Sequence, residues 1–284
     1  MRSLLLLLLF PLLVFPTAAL AIELPVVVEE KVYNDYIEFL DGRDPLEIRD
    51  FTGPKARRST VEIVLIQQAF SLGNMPVTFK FEFAPGAERM RRMVLLHGYA
   101  MQANTVWRTA VSENSDDLWI SQPFIRDTEF EAGLYTIATR EDLLKSGDQI
   151  QLEMLKAVSS SHWISDWNTL KELPLKDLVD VPEWRTMVNM VAYKRVDFLL
   201  APFQVTDDLS FTSRDYHFKP IEGVKLGLRG SRHFIISKNY PNSEALNNAL
   251  NRGLRVLRQS GTIERALKES GFMNSQVAGW IKLN

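Results

Sequence analysis

The sequence predicts an α/β protein of two lobes, on three observations. Trp184 to Phe203 (WRTMVNMVAYKRVDFLLAPF) carries apolar residues at Met187, Met190 and Val191 with helical spacing. They lead through Lys194-Arg195 into the short apolar run Val196–Leu200, closed by Pro202, which reads as an amphipathic helix and a buried strand. About a hundred residues earlier the same unit recurs: a helix from Glu88 to a stop at Gly98, then a short strand from Tyr99 to Ala103. Residues 22–103 as a whole read β-α-β-α-β, the pattern of a parallel sheet with helices on its faces.

Each element has its own local reason. Ile22–Glu29 (IELPVVVE) is a strand by its β-branched run. Glu30–Arg58 is polar and aromatic, with an Asp41-Gly42 turn, and reads as a loop-rich insertion with one short helix. Ser59 or Thr60 is placed to cap a helix through Phe70, with Glu62 near a capping-box position and Gly73-Asn74 as the stop. Val77–Phe83 (VTFKFEF) alternates strictly and is a strand. Asn104–Asp117 is polar and irregular, and Leu118–Ser121 leads to Pro123-Phe124. Glu131–Ala138 and Gln151–Val158 are strands, and Ser159–Ser161 would cap a helix over Trp163–Leu173. Pro174–Asp180 reads as a linker. After the Trp184 helix and its strand, Thr206–Pro220 is polar; Val224–Leu228 and His233–Ser237 are strands. Asn242 or Ser243 caps a helix from Glu244 to Gln259, and Thr262 caps a last one, Ile263–Glu269, ending at Gly271.

Composition narrows the class of function. With 46% hydrophobic and 24% charged residues over 284 positions, the chain is an ordinary globular protein, long enough for two modest domains. A formal charge of −2 with dispersed basic residues argues against nucleic acid as partner. The absence of cysteine excludes disulfides, zinc–thiolate sites, thiol nucleophiles and lipid attachment at a cysteine. Residues 1–21 read as a secretory signal peptide: Arg2, an apolar run from Leu4 to Phe15 and an Ala19-Leu20-Ala21 cleavage site. An exported chain with no anchor of its own points to the periplasm. The four histidines are far apart, no metal-ligand spacing occurs, and there is no GxSxG or Walker motif, so neither a metal, a cofactor nor catalysis is expected.

Several stretches, in this order, resemble the type II periplasmic solute-binding proteins, in the branch that binds amino acids and related small polar solutes. They are Leu95–Met101 (LLHGYAM), Ser121–Phe124 (SQPF), Lys194–Asp197 (KRVD) and Arg252–Phe272 (RGLRVLRQSGTIERALKESGF). The resemblance covers roughly residues 59–272 and implies a two-lobed periplasmic-binding-protein-like fold hinged on two crossover strands. The expected division is 22–120 for the first part of lobe 1, 121–215 for lobe 2 and 216–284 for the return to lobe 1. It implies a ligand held between the lobes, at the carboxyl ends of parallel strands, with closure coupled to contacts on both sides.

Candidate ligand residues follow. Thr105-Val106-Trp107-Arg108 matches the family's Thr-x-x-Arg, which implies that Thr105 and Arg108 hold a ligand carboxylate, Arg108 through its planar fork. Ser160 and Ser161, before a helix, offer hydroxyls and free N–H groups to an anion. Tyr36 and Trp119 are candidates for an aromatic platform, the alternative being ordinary packing. Where the family places an Asp for the ligand's ammonium, this chain reads Ala201-Pro202-Phe203-Gln204, and Asp197 is expected to be structural. The function implied is capture of a small polar, carboxylate-bearing solute by a monomeric receptor serving an ABC permease. The alternatives are a sensory adaptor for a membrane kinase, or a dehydratase-like enzyme on the same fold.

Overall fold

The computed structural model describes residues 22–284; the expected signal peptide lies outside them. The chain opens with β1 (Ile22–Val28), α1 (Glu30–Leu40), α2 (Arg58–Leu72), β2 (Val77–Phe83), α3 (Ala87–Leu96), β3 (Met101–Gln102), β4 (Val106–Trp107) and β5 (Leu118–Ile120). A first crossover, residues 121–130, leads to β6 (Glu131–Ile137), α4 (Glu141–Leu144), β7 (Lys156–Ser159), α5 (Ile164–Lys171), β8 (Asp177–Asp180), α6 (Trp184–Ala192) and β9 (Phe198–Pro202). The hairpin β10 (Phe211–Ser213) and β11 (Tyr216–Pro220) and then β12 (Val224–Gly227) follow. A second crossover, residues 228–231, returns the chain to β13 (Arg232–His233), β14 (Ile235–Ser237), α7 (Ser243–Gln259) and α8 (Thr262–Glu269), and the chain ends with β15 (Ile281–Lys282).

Two sheets make the two lobes. Lobe 1 is β2-β1-β3-β14-β5, with β1 parallel to both β2 and β3, as the β-α-β-α-β reading requires. Lobe 2 runs β10-β11-β6-β9-β7-β8, and β12 also joins β6. Leu226–Gly227 pairs antiparallel with Ala132–Glu131, so β12, which lies in the stretch 216–284, is a strand of the lobe-2 sheet. Pairing partners of that range are invisible to a local pattern.

Local readings change at several points. Glu30–Leu40 is a full three-turn helix that sends Tyr36, Phe39 and Leu40 into the core. Asp177–Asp180, expected as linker, is a strand parallel to β7. The strand expected from Gln151 begins only at Lys156, after a 3-10 turn at Leu152–Met154. None of the expected side-chain caps forms: α2 begins after Arg57, α5 after Trp163, α7 after Asn242 and α8 after Gly261, each without a side-chain cap bond. Asp197 is structural as expected; its carboxylate accepts from Lys156 N (2.8 Å) and Arg140 Nη1 (2.9 Å), tying the entry of β9 to that of β7.

The core of lobe 1 is built around α2, which is buried on nearly every side. Its run Val61-Glu62-Ile63-Val64-Leu65-Ile66 is apolar all round apart from Glu62, the composition of a helix enclosed by neighbours. Against it lies α7, through Leu246, Ala249, Leu250, Gly253 and Leu254.

Candidate functional site

Three backbone segments meet where the lobes join. Arg232 on β13 pairs with Trp107 on β4, and on its other side bridges Ile125 of the first crossover. Arg232 N donates to Ile125 O (2.8 Å), and Phe124 N donates to Arg232 O (2.8 Å). Further along, Thr128 N donates to Leu228 O (3.1 Å) and Leu228 N to Phe130 O (2.7 Å), so the two crossovers run as a hydrogen-bonded pair. His233, next to Arg232, is buried and held below its ordinary pKa, first by burial. Its Nδ1 donates to Ser121 O (2.6 Å) and its Nε2 faces Ser231 Oγ (2.7 Å), the pattern of a neutral ring that fixes β13.

A cavity of about 250 Å³ opens beside this junction, at the carboxyl ends of β1 and β3. Its polar lining includes Glu29, Arg58, Ser59, Gln102, Asn104, Thr105 and Arg232, with Val32, Met90 and Trp107 as apolar walls. On the lobe-2 side, a side chain added at Gly230 would come within 3.5 Å of both the Trp107 ring and Ser165 Oγ at the start of α5. The Trp107 ring stacks on Phe130 of the crossover at 5.9 Å, and the Arg232 guanidinium lies 5.0 Å from the Trp107 ring centroid.

Arg232 is the distinctive group here. Its Nε donates to Thr105 Oγ1 (3.0 Å) and its Nη2 to Thr105 O. Burial first, then the charge of Arg58, pulls its pKa down to about 9, while Glu62 pushes the other way; at neutral pH it remains a cation. Among the described residues no carboxylate lies within ion-pair distance of it. Glu62, whose charge acts on it, is committed to Arg58 Nη1 (2.7 Å). A half-buried guanidinium that lines a cavity and has no carboxylate partner among the described residues has the chemistry to accept an anion.

The residues expected from the sequence are placed as follows. Thr105 lines the cavity and is buried. Arg108 opens a 3-10 turn, is exposed and does not line the cavity. Ser160 and Ser161 stand at the carboxyl end of β7 in lobe 2; Ser160 Oγ accepts from His162 N (3.2 Å) and Ser161 N donates to Asp180 Oδ1 (2.9 Å). Tyr36 is packed in the lobe-1 core among Tyr33 and Phe81, and burial raises its phenol to about 12. Its oxygen accepts from Gln67 Nε2 (2.8 Å). Trp119 donates from Nε1 to Ser243 Oγ (3.1 Å), beneath Lys238. Thr105 is thus brought to the cavity, while Tyr36 and Trp119 are taken up by packing. The sequence reading missed Arg58, Glu62, Gln102, Asn104 and Arg232. Arg232 had one signal, its place directly after the second crossover, at the start of β13.

No family model matches the sequence, and no curated protein does. Solved structures do match in fold. One is the probable amino-acid ABC transporter extracellular-binding protein ytmK of Bacillus subtilis, at TM-score 0.55 and 14% identity over 87% of this chain and 96% of that one. Another is substrate-binding domain 2 of Lactococcus lactis GlnP in its open conformation, at TM-score 0.52 and 12% identity over 87% of this chain and 94% of that one. At such identities the likeness is one of architecture: the chain has the two-lobed fold of the type II solute-binding proteins.

Proposed function

We propose that this protein is an extracytoplasmic receptor that captures a small polar, carboxylate-bearing solute between its lobes and delivers it to an ABC permease. The observation that carries this reading is Arg232: a half-buried cation, without a carboxylate partner among the described residues, lining a cavity at the junction of the crossovers. The fold supports it, since both matched structures are, by their descriptions, binding proteins or domains of transporters. In this reading the solute's carboxylate meets Arg232, while Glu29, which lines the same cavity, accepts a donor group. Closure of lobe 2 then brings the end of β7, at Ser160 and Ser161, towards the solute.

The test is a thermal-shift screen of residues 22–284 against amino acids, organic acids, polyamines and oligopeptides. A solute at a hundredfold its dissociation constant stabilises by about 2.7 kcal/mol, a readily measured shift. We expect hits among carboxylates, Arg232→Ala to remove the shift, and Arg108→Ala to retain it. The reverse pattern would return the anchor to Arg108. No stabilisation by any anion would overturn solute capture.

A further inference from the structure

Glu62 is a charged residue in the middle of an enclosed helix, with no solvent exposure. A carboxylate so placed is tolerated only when its lone pairs are met by donors. Four donors meet it. Arg58 Nη1 and Thr105 Oγ1 reach Oε1 at 2.7 and 2.5 Å. Asn104 Nδ2 and Thr105 N reach Oε2 at 3.0 and 3.2 Å. Asn104 is itself steadied by a second bond from Nδ2 to Ser59 O (2.7 Å). A main-chain N–H, a hydroxyl, an amide and a guanidinium converging on both oxygens of one carboxylate make the donor set of an anion receptor. Helix capping does not explain it, because Glu62 makes no bond to the N-terminal backbone of α2. An Arg58–Glu62 ion pair along the helix would engage only one oxygen.

The same contacts orient Arg232. Thr105 Oγ1 gives its proton to Glu62 and accepts from Arg232 Nε, and Thr105 O accepts from Arg232 Nη2. One edge of the guanidinium is therefore turned inward onto Thr105, and Nη1 is left for the cavity.

We propose that lobe 1 contains a carboxylate slot, formed by the Thr105 N–H and hydroxyl, Asn104 and Arg58, which the chain fills with its own Glu62. A solute's anionic group is thereby kept off the Thr105 main chain and left to Arg232. Glu62 is an internal ligand of the slot and a positioning residue for Arg232. The slot stands on these contacts by themselves; only its bearing on the solute rests on the receptor reading above.

Emptying the slot tests this, with formate as the probe. In the 22–284 protein, Glu62→Ala orphans four donors, and the melting temperature is expected to fall by roughly 10 °C. Sodium formate should restore it in a dose-dependent way, sodium chloride at equal ionic strength should not, and wild type, whose slot is filled, should gain less from formate than the variant does. In the variant alone, formate should also shift the Thr105 amide resonance. Equal effects of formate and chloride on the variant, or equal formate effects on variant and wild type, would overturn the slot. Should Glu62→Ala fail to fold, the near-isosteric Glu62→Gln replaces it: a displaced Thr105 amide resonance and a lower melting temperature are expected, and no change in either sinks the idea. Formate rescue without any solute binding by wild type removes the receptor reading and leaves the slot; solute binding without rescue does the reverse.

Discussion

Asp166 shows how one side chain couples burial to pH. It lies in the first turn of α5, between Thr169 and Leu170 on the packed side of the helix, and burial raises its pKa from 3.8 to about 6. No charged group contributes to that shift. Below about pH 4 the carboxyl is protonated whether the chain is folded or not. Between about 4 and 6 the unfolded chain ionises first, so the folded state loses stability as pH rises through that window, and the loss is complete above it. Asp166→Asn is expected to stabilise the protein by about 1–2 kcal/mol at pH 7 and to leave it unchanged at pH 3.5, as read by urea unfolding at the two values. An equal effect at both would show that Asp166 is not held neutral by burial. The same scale explains how far the cavity could be read in advance. Thr105 was visible because Thr105 to Arg108 is a local spacing. Glu62 and Arg232 were not, because the first meets Thr105 across 43 positions and the second across 127, contacts that only the finished fold creates.

Among the elements, the α2–α7 contact is the tightest constraint. Side chains added at Gly253 and Gly73 would meet Ala69 O at 1.8 Å and Ala249 O at 2.1 Å, so each helix presses its backbone into the gap the other's glycine leaves. Arg252 adds a bond from Nη2 to Gly73 O (2.8 Å) at the same contact. Neither carbonyl can yield without moving a helix. Gly253→Ala, which would favour an isolated helix by about 1 kcal/mol, is instead expected to cost about 2 kcal/mol net, read as a lower urea midpoint at unchanged slope. A neutral or stabilising result would mean the helices have room to part. Elements with strong periodicity were legible in the sequence: β1, β2, α3, α6 with β9, α7 and α8. Those that rest on a neighbour were not. β8 is four residues whose strand character comes from pairing with β7, and the hairpin of β10 and β11, with Thr212 and His217 facing water, lies in a stretch legible only as polar. At α2 the missed cap has a visible cause: the helix begins at an arginine, and the carboxylate expected to close its first turn is engaged by Thr105 instead.

On the scale of the molecule, the two crossovers are not the only strands that join the lobes. After α8, which packs in the lobe-1 core, the chain passes through Phe272, tilted against Phe130 with ring centroids 4.7 Å apart, and ends as β15 on the outer side of β12 in lobe 2. Asn284 completes the pairing, its side-chain amide donating to Gly227 O and accepting from Gly227 N, both at 2.9 Å. The described chain therefore starts in one lobe, at Ile22 on β1, and finishes in the other. Two dyes, one at Ile22 and one at Asn284, would sit on different lobes and report any change in the distance between them. We expect energy transfer between them to change in step with solute concentration in wild type and to stay flat in Arg232→Ala; a flat trace in wild type despite a thermal shift would mean that capture leaves the lobes where they were. Joining the ends to other proteins would have the opposite value: whatever is attached at residue 284 is carried by lobe 2, and its bulk becomes a load on the hinge.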